Sequence, residues 1–253
     1  MKIGLVLSGG GARGISHLGV IQALEEFGVK VSIIAGASAG AIIGALYSYG
    51  FRPKEILEII KNVSVFKSVR PSWTLTGLLS MEGLKDVLLT NMPENSFEYL
   101  KIPLTIATTD LRKGTSTYFS EGELIHPIMA SSCVPAIFAP VAINGNIYVD
   151  GGVLDNLPVK PIRNSCDFII GVNCNPIGTD FDPKNIKLVV ERTLLMAINT
   201  NTQLSRSLCD VFIEPAGLSK ISGFEIGKAY EIFDIGYEFT KNNFTSRDFQ
   251  PKA

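Results

Sequence analysis

The sequence predicts a single α/β domain built on a mostly parallel sheet with helices on both faces. Short apolar runs typical of buried strands alternate with segments whose apolar residues recur at helical spacing. The 253 residues are 46% hydrophobic and only 19% charged, so they supply enough apolar surface for one large core. No repeat, linker or low-complexity tract divides the chain, and we therefore expect one domain over residues 1–253.

The first part of the chain alternates strand and helix. Ile3–Leu7 is an apolar run of strand length. Ile15–Phe27 repeats apolar residues at helical spacing and ends before Gly28, a residue type that favours helix C-termini. Val29–Ala35 predicts a second buried strand. The next helix, Ala39–Tyr49, is apolar on nearly all sides, so we expect it to be buried.

After a helix over Lys54–Asn62, which Pro53 opens, the pattern loosens from Val63 to Met92. Two interpretations stay open. The one we favour is an ordinary loop and helix packed on the body. The other is a lid or lipid-facing segment, because Trp73 and neighbouring cations suit a membrane interface. Under the second interpretation the protein makes transient contact with a membrane surface.

Strands and helices continue to alternate to about residue 241. The predicted strands are Leu104–Thr109, Ser116–Ser120, Val141–Ile143, Ile147–Val149, Phe168–Asn173 and Val211–Glu214. The predicted helices are Glu123–Cys133, Ile186–Ser207 and Glu225–Lys241. Asn144-Gly145 predicts a hairpin between the third and fourth of these strands. The tail from Asn242 is polar, and we expect it to be frayed.

Composition excludes several classes of protein. The net charge of −1 gives no general attraction to nucleic acid. The four cysteines lack C-x-x-C spacing and only two histidines exist, so we expect neither a metal site nor a disulfide framework. No run of about 18 apolar residues predicts a transmembrane helix. We therefore expect a cytoplasmic protein, or one peripheral at a membrane; no pattern predicts its oligomeric state.

The second predicted strand runs into a G-x-S-x-G motif, Gly36-Ala37-Ser38-Ala39-Gly40. This motif places a serine hydroxyl at the tip of a strained strand-to-helix turn. The helix that follows directs its positive N-terminal dipole at the same point. A tight turn with an idle serine is the alternative. The position of the motif between a strand and an apolar helix favours Ser38 as a nucleophile.

The first predicted strand is followed by a glycine-rich run, Ser8-Gly9-Gly10-Gly11-Ala12-Arg13-Gly14. Its spacing also matches a dinucleotide fingerprint, but that fingerprint requires a carboxylate near the end of the second strand, which is absent here. The Gly-Lys-Ser/Thr of a P-loop is absent as well. Successive glycines at a helix start can instead turn backbone N–H groups toward one oxygen. We therefore expect an oxyanion hole at Gly9, Gly10 and Gly11.

A serine nucleophile needs a base, and the histidines are poorly placed. His17 and His126 lie in predicted helices, and no histidine follows His126, where the usual hydrolase order would put it. Asp150 is the better candidate because it follows a predicted strand and precedes two glycines that let the backbone pass close to the elbow. Partial burial would raise its pKa and improve it as a proton acceptor. Asp110 and Asp155 are rival acids, and a plain Asp-Gly turn is the alternative for Asp150.

Four stretches in order resemble the patatin-like phospholipase family. They are Gly9-Gly10-Gly11-Ala12-Arg13-Gly14, Gly36-Ala37-Ser38-Ala39-Gly40, Ala130-Ser131-Ser132-Cys133-Val134-Pro135-Ala136-Ile137-Phe138 and Asp150-Gly151-Gly152. Each is moderately specific, and four in sequence are highly specific. The resemblance covers about residues 3–175. The strand and helices of 176–243 match nothing specific, and 244–253 is expected to be a flexible tail.

The resemblance implies a three-layer α/β/α fold with a mostly parallel central sheet. It also implies hydrolysis of phospholipids or related acyl esters by a Ser-Asp dyad without histidine and without calcium, and we expect no cofactor. Ser38 would be the nucleophile, Asp150 the base, and the backbone of Gly9–Gly11 would hold the oxyanion. Arg13 occupies the family's basic position, where bracing the loop and contacting a lipid headgroup both stay open.

Three other hypotheses remain beside a lipid acyl hydrolase. The same machinery would serve a non-lipid substrate such as a thioester or peptide. A regulatory module could keep the fold and lipid pocket but turn over poorly. A Rossmann-type nucleotide-binding protein is the third, although it would need an acid or arginine near residue 35, and the sequence has neither there.

Overall fold

The computed structural model describes residues 1–62, 71–74, 77–79, 81–223 and 225–250. The strands are β1 (Ile3–Leu7), β2 (Val31–Ala37), β3 (Pro71–Thr74), β4 (Gly77–Leu79), β5 (Leu104–Asp110), β6 (Thr115–Phe119), β7 (Val141–Ile143), β8 (Asn146–Asp150), β9 (Phe168–Val172) and β10 (Val211–Ile213). The helices are α1 (Ser16–Glu26), α2 (Ala39–Tyr49), α3 (Pro53–Asn62), α4 (Glu82–Asn91), α5 (Ile125–Ser131), α6 (Gly152–Asp155), α7 (Lys160–Arg163), α8 (Ile186–Arg206) and α9 (Ala229–Asn243).

The central sheet is parallel over most of its width. Its path runs β10-β9-β1-β2-β5-β8-β7, and the first five strands of that path pair in parallel. β8 and β7 continue it as an antiparallel edge, and β6 also pairs with β5 in the antiparallel sense. β3 and β4 form a separate hairpin. The predicted α/β class with a mostly parallel sheet is confirmed.

Apolar side chains extend from both faces of the sheet. On one face, Leu5, Leu7 and Ile34 join a large core that includes residues of α1, α2 and α9. On the other face, Val6 and Ala35 join a smaller core with residues that precede and form α7. Because neighbouring residues of a strand point to opposite faces, continuous apolar runs are what a sheet between two helical layers requires. The predicted three-layer fold is confirmed.

The carboxyl ends of the strands gather the motifs at one edge of the sheet. Leu7 pairs with both Gly36 and Val172, so the glycine run, the elbow and the segment after β9 emerge side by side. Ala37 pairs with Ala107, and Thr108, the next residue of β5, pairs with Asp150. This register places Asp150 at the end of β8, two strands across the sheet from β2, which leads into Ser38. Open α/β sheets bind ligands at this edge.

Several element boundaries differ from those predicted. β2 covers Val31–Ala37 instead of 29–35, because the amide of Val29 still bonds to the carbonyl of Leu24 in the turn after α1. The helix predicted over 123–133 is shortened to Ile125–Ser131. Glu123, at its expected start, forms instead an isolated bridge with Ser96.

The C-terminal tail is ordered as far as it is described, which corrects the expectation of fraying. A capping box of Thr245 and Asp248 starts a 3-10 turn over Ser246–Phe249. Phe249 is only 2% exposed, and its ring stacks 5.9 Å from that of Phe27. The polar composition of the tail therefore gave no indication that Phe249 is buried.

Most of the segment 63–92, where a lid or lipid-facing role was left open, lies outside the described residues or is described only as the β3–β4 hairpin. α4, at its end, buries Leu84 and Leu88 in the large core. Within the described residues, no helix combines the length and apolarity that crossing a bilayer would demand. The extent of the single domain stays a prediction.

Candidate active site

Ser38 lies at a strained turn between β2 and α2. Its backbone has φ 51° and ψ −121°, a conformation that non-glycine residues rarely adopt. Gly40 passes so close to β1 that an added β-carbon would overlap the carbonyls of Leu7 and Ser8. The G-x-S-x-G spacing therefore serves tight packing of the turn on β1. The geometry is that of a nucleophile elbow.

A second serine holds the elbow in place. The amide of Ser38 donates to Oγ of Ser131 at 2.8 Å, and that hydroxyl donates to the carbonyl of Ala107 at 2.6 Å. Ser131 therefore links the strained residue to the end of β5. It belongs to the stretch 130–138 that sequence reasoning singled out, although its role was not predicted.

Asp150 lies beside Ser38. Hydrogen bonding from the Ser38 hydroxyl lowers the pKa of its carboxyl, and Oδ1 accepts a hydrogen bond of 2.7 Å from the amide of Gly152. Its own amide donates to the carbonyl of Cys133 at 2.9 Å. Burial, the dominant cause, raises the pKa of Asp150 to about 6, and the two hydrogen bonds oppose that shift. This carboxyl is thus tuned toward accepting a proton near neutral pH.

The rival acids are engaged elsewhere. Asp110 accepts the amides of Arg112 and Lys113 at 2.9 and 3.0 Å, and these bonds hold its pKa below the ordinary value. Asp155 accepts the hydroxyl of Tyr118 at 2.7 Å, while burial raises its pKa. Asp110 thus closes a turn and Asp155 anchors β6, so both carboxylates bind groups other than Ser38.

The two histidines have other partners as well. His17 is fully buried, and its Nε2 bonds to the carbonyl of Ser8 at 2.8 Å. Burial lowers the pKa of His17 to about 4, so the ring is neutral at physiological pH. His126 is exposed, and its Nδ1 pairs with Glu123 at 2.7 Å. These contacts agree with the prediction that neither ring serves the elbow.

The glycine loop supplies two unengaged backbone donors. The amides of Gly10 and Gly11 have no acceptor among the described residues, and φ of Gly11 is +58°. The amide of Gly9, in contrast, donates to the carbonyl of Asn156 at 3.2 Å. This bond corrects the expectation that all three glycines would contribute. Gly10 and Gly11 are the donors that remain available for an oxyanion.

Arg13 braces the loop. It is buried, and Nε donates to the carbonyl of Ile221 at 2.6 Å. Its other nitrogens reach Oδ1 of Asn175 at 3.4 Å and Oε1 of Glu191 at 3.2 Å. Burial lowers the pKa of Arg13, while Glu191 acts in the opposite direction. Of the two roles left open for Arg13, these contacts favour bracing over headgroup contact.

An apolar cavity of about 170 Å³ opens beside Ser38. Ser38 and Gly11 lie on its wall, and almost all its other lining side chains are aliphatic or aromatic. They come from α2, α3, α4 and the segment after α5, including Ile42, Leu46, Ile59, Leu88 and Phe138. The apolar lining of this cavity suits a hydrocarbon chain.

Several supporting residues were missed by sequence reasoning: Asn156, Asn175, Glu191 and Asn173, whose Oδ1 accepts the amide of Asn175 at 3.3 Å. The last three lie at or beyond the end of the stretch with recognisable motifs, and all act over long sequence separations. One signal was available. Asn173 and Asn175 lie at the end of a predicted buried strand, and the carboxyl end of such a strand is where ligands bind in open α/β sheets.

No group of three or more His, Cys, Asp or Glu side chains in the described part of the chain is arranged to hold a metal ion. All four cysteines are free thiols.

The comparison with known proteins agrees with the motifs. The family model described as patatin-like phospholipase matches residues 5–162. The chain belongs to the patatin-like phospholipase family. The predicted resemblance is confirmed.

Curated relatives place this patatin-like chain beside larger proteins. Uncharacterized NTE family proteins of Mycobacterium tuberculosis and Mycobacterium bovis are 37% identical over 186 residues, which is 72% of this chain and 51% of theirs. Lysophospholipase nte1 of Aspergillus fumigatus is 26% identical over 94% of this chain and 18% of its own. The chain thus spans about half the length of the first relatives and less of the fungal one.

Solved structures share the patatin-like fold at low identity. VipD of Legionella pneumophila superposes with a TM-score of 0.54 at 18% identity, over 95% of this chain and 66% of that one. The type III effector protein ExoU gives a TM-score of 0.50 at 14% identity, over 98% of this chain and 54% of that one. At such identities the similarity establishes the fold alone.

Proposed function

We propose that this patatin-like protein is a serine acyl hydrolase of the phospholipase A or lipid esterase type. The observation that carries the proposal is the placement of the Ser38 hydroxyl, on a strained strand-to-helix turn, beside a buried carboxyl, Asp150, whose pKa is raised to about 6. Beside this pair lie two unengaged amides and an apolar cavity. Family membership and the lysophospholipase relatives support the same class of reaction.

Acylation begins with proton transfer from Oγ of Ser38 to Asp150. Oγ forms a bond to the ester carbonyl carbon, and the carbonyl oxygen becomes an oxyanion that the amides of Gly10 and Gly11 stabilise. When this intermediate collapses, the bond to the leaving oxygen breaks. The proton held by Asp150 passes to that oxygen, so the alcohol leaves neutral and Ser38 is acylated.

Deacylation repeats the sequence with water. Asp150, ionised again, takes a proton from water as its oxygen attacks the acyl carbonyl. The same amides hold the second oxyanion. Collapse releases the fatty acid, and the proton on Asp150 returns to Oγ of Ser38. A single carboxylate therefore serves as base and acid in turn, with no imidazole between.

The cavity supports a lipid acyl chain as the group transferred. Its walls are apolar and begin at Ser38, so a hydrocarbon chain placed there would put its carbonyl at the nucleophile. An ester or thioester with a non-lipid acyl group remains the alternative substrate. A protein of low activity that only binds lipid remains the alternative function, in which case Ser38 would not be activated.

The test is hydrolysis of 4-nitrophenyl esters of graded chain length and of defined phospholipids by purified wild type, Ser38→Ala and Asp150→Asn. We expect each variant to lose at least about 10⁴-fold in kcat, as is typical when a nucleophile or its partner is removed. Ser48→Ala is the matched control, because the buried Ser48 hydroxyl on the same helix has no partner among the described residues. Near-native turnover by either variant would refute the role given to that residue.

We also propose that α8 carries the contact with lipid surfaces, and we define the α8 face as Ile186, Val189, Val190, Leu194, Met196 and Leu204. All six side chains are exposed, Ile186 to 81%. At helical spacing they share one side of α8. Glu191 and Arg192 turn to the body instead, where they bind Arg13 and the carbonyl of Gly178. A helix that turns Glu191 and Arg192 to the body and exposes these aliphatic side chains suits an apolar medium.

The opposite, body-facing side of α8 reaches the wall of the cavity. Oε1 of Glu191 accepts the amide of Gly223 at 2.9 Å, and Gly223 lines the cavity beside Ser38. The exposed aliphatic side chains on the other side support α8 as the contact, in place of the segment 63–92 considered from the sequence.

Sedimentation with phosphatidylcholine vesicles tests the α8 face. We expect the double variant Val190→Ser/Leu194→Ser to bind at least about tenfold more weakly, since each buried aliphatic side chain contributes about 1.5–3 kcal/mol. Leu111→Ser/Tyr99→Ser removes two exposed side chains from other elements and serves as control. Equal binding by the two double variants would contradict the assignment.

A further inference from the structure

We propose that Asn175 is a positioning residue that sets the orientation of the Gly9–Gly10 peptide and thereby presents the amide of Gly10 to the oxyanion. The inference rests on the proposed hydrolysis at Ser38 and adds to it a residue outside every motif. Asn175 lies three residues after β9 and is almost fully buried.

The Gly9 carbonyl is held on one side of the loop. Nδ2 of Asn175 donates to this carbonyl oxygen at 2.5 Å, and Sγ of Cys174 approaches the same oxygen at 3.3 Å. The amide of Gly9 is bonded to the carbonyl of Asn156. Both peptide groups that flank Gly9 are therefore anchored, although glycine itself imposes little restriction on its backbone.

Planarity of the peptide bond then decides where the Gly10 amide points. In a trans peptide the C=O of one residue and the N–H of the next face opposite directions. Because the Gly9 carbonyl points at Asn175, the Gly10 N–H points away from it. The structure places Ser38 near the loop on another side: a β-carbon added to Gly9 would lie 2.9 Å from the Ser38 β-carbon. A β-carbon on Gly10 would instead meet Oδ1 of Asn175 at 2.7 Å.

The orientation of the Asn175 amide is itself fixed. Nη1 of Arg13 donates to Oδ1 of Asn175 at 3.4 Å, which leaves Nδ2 to donate to Gly9. Glu191 in turn pairs with Arg13 at 3.2 Å. A chain of buried polar contacts thus runs from α8 through Arg13 and Asn175 to the glycine loop. It explains why an arginine is buried beneath this loop.

Asn175→Asp is the sharpest substitution. It keeps the shape of the side chain and an acceptor for Arg13, but the carboxylate cannot donate to the Gly9 carbonyl and repels it. We expect kcat for a short-chain ester to fall about 10- to 100-fold, since removing an oxyanion-hole donor outright costs about 10²–10³ in kcat. KM should stay within about twofold, because the apolar cavity is unchanged.

Inhibitor binding distinguishes a role of Asn175 in oxyanion stabilisation from a merely structural role. An alkyl trifluoromethyl ketone adds the serine oxygen to its carbonyl and forms an oxyanion, whereas a fatty acid of the same chain length does not. We expect the ketone to bind Asn175→Asp about 10- to 100-fold more weakly, in parallel with kcat/KM. Inhibition by the fatty acid should stay within about twofold of wild type.

Two further variants keep the test decisive. Asn175→Ser leaves room for a bridging water and should give an intermediate loss of kcat, and it replaces Asn175→Asp if that variant does not fold. Asn95→Asp is the control. The side chain of Asn95 bonds to Glu123 and to the amide of Ile125, and these partners are more than 100 residues from the glycine loop in sequence. This variant should keep native kcat.

The outcomes separate the two proposals. An active wild type with a folded Asn175 variant whose kcat stays within threefold would overturn this inference and leave the proposed function standing. A fall in kcat with no change in the affinity of the ketone would overturn the inference in the same way. A wild type that hydrolyses no acyl ester would overturn the proposed function and, with it, the role of Asn175.

Discussion

The backbone of Gly9 passes directly beside the side chain of Ser38. A β-carbon at position 9 would lie 2.9 Å from the Ser38 β-carbon and 2.7 Å from Oδ1 of Asn156, closer than packed carbon atoms tolerate. The glycine loop and the elbow, which are 29 residues apart, are thus packed as one unit. Any side chain at position 9 must displace the nucleophile or the loop.

Replacing Gly9 by alanine should therefore impair hydrolysis more than folding. We expect Gly9→Ala to lower kcat at least about 100-fold, because a displacement of even 1 Å near reacting atoms has effects of that order. Gly227→Ala is a matched control, since a β-carbon there meets nothing within 4 Å. Steady-state kinetics and thermal unfolding of both variants check the prediction, and native kcat in Gly9→Ala would show that the loop yields without affecting the site.

Ser131 should stabilise the strained elbow. Ser131→Ala removes the acceptor of the Ser38 amide and leaves that buried amide unpaired, at a cost of about 1–3 kcal/mol in the free energy of unfolding. Ser132→Ala removes a neighbouring buried hydroxyl that has no partner among the described residues, so its stability should be native or higher. Denaturant unfolding of the pair measures the difference. Equal stabilities would mean that Ser131 does not support the elbow.

The pH dependence of hydrolysis should show a single acidic limb that belongs to Asp150. Because the base acts only when ionised and its pKa is about 6, kcat/KM should fall about tenfold per pH unit below that value and level off above it. A histidine would give a similar limb, so the variants His17→Gln and His126→Gln are informative. Both should keep the limb; its loss in either would assign the base to that histidine.

Removing the charge of Asp150 should stabilise the protein while abolishing activity. The pKa is about 6 in the folded state and about 3.9 in an unfolded chain, so the folded state holds this proton more tightly. Raising the pH from about 4 to about 6 therefore lowers stability, by as much as about 3 kcal/mol, and the loss is complete above that window. Asp150→Asn should be more stable than wild type at pH 8 by about 1–3 kcal/mol.

Chemical unfolding at pH 8 and near pH 4 checks this sign. The advantage of Asp150→Asn should nearly vanish at the lower pH, where wild-type Asp150 is protonated in the folded state and about half protonated in the unfolded chain. Asp182 is an exposed carboxylate that pairs with Lys184, and Asp182→Asn should show no such pattern. A variant less stable than wild type at pH 8 would mean that the ionised carboxylate stabilises this site.

Local patterns predicted most of the fold because each element is apolar on the side or sides that it buries. α2 was predicted with both ends correct, and the Asn144-Gly145 turn joins β7 and β8 as expected, with positive φ at both residues. Where prediction missed, a contact remote in sequence decided the outcome. Phe249 orders the tail by stacking on Phe27, more than 200 residues away, and no pattern within the tail reveals that partner.

At the site as well, residues with a local sequence signal were predicted, and residues that act through contacts remote in sequence were missed. The spacing of small residues predicted Ser38 and the glycine loop, because a sharp turn and a close backbone approach both require small residues. Asn156 carries no such signal, although its carbonyl takes the Gly9 amide out of the predicted oxyanion hole. Ser131 and Asn175 are ordinary polar residues until the register of the sheet brings them to the same edge.

The central claim, activation of Ser38 by Asp150 alone, is tested most directly by labelling with an alkyl fluorophosphonate followed by mass-spectrometric mapping. Wild type and His17→Gln should both be labelled at Ser38 at comparable rates near pH 8. Asp150→Asn should be labelled there at least about 10³-fold more slowly. Labelling of Asp150→Asn at the wild-type rate, or loss of labelling in His17→Gln with its fold intact, would contradict the account.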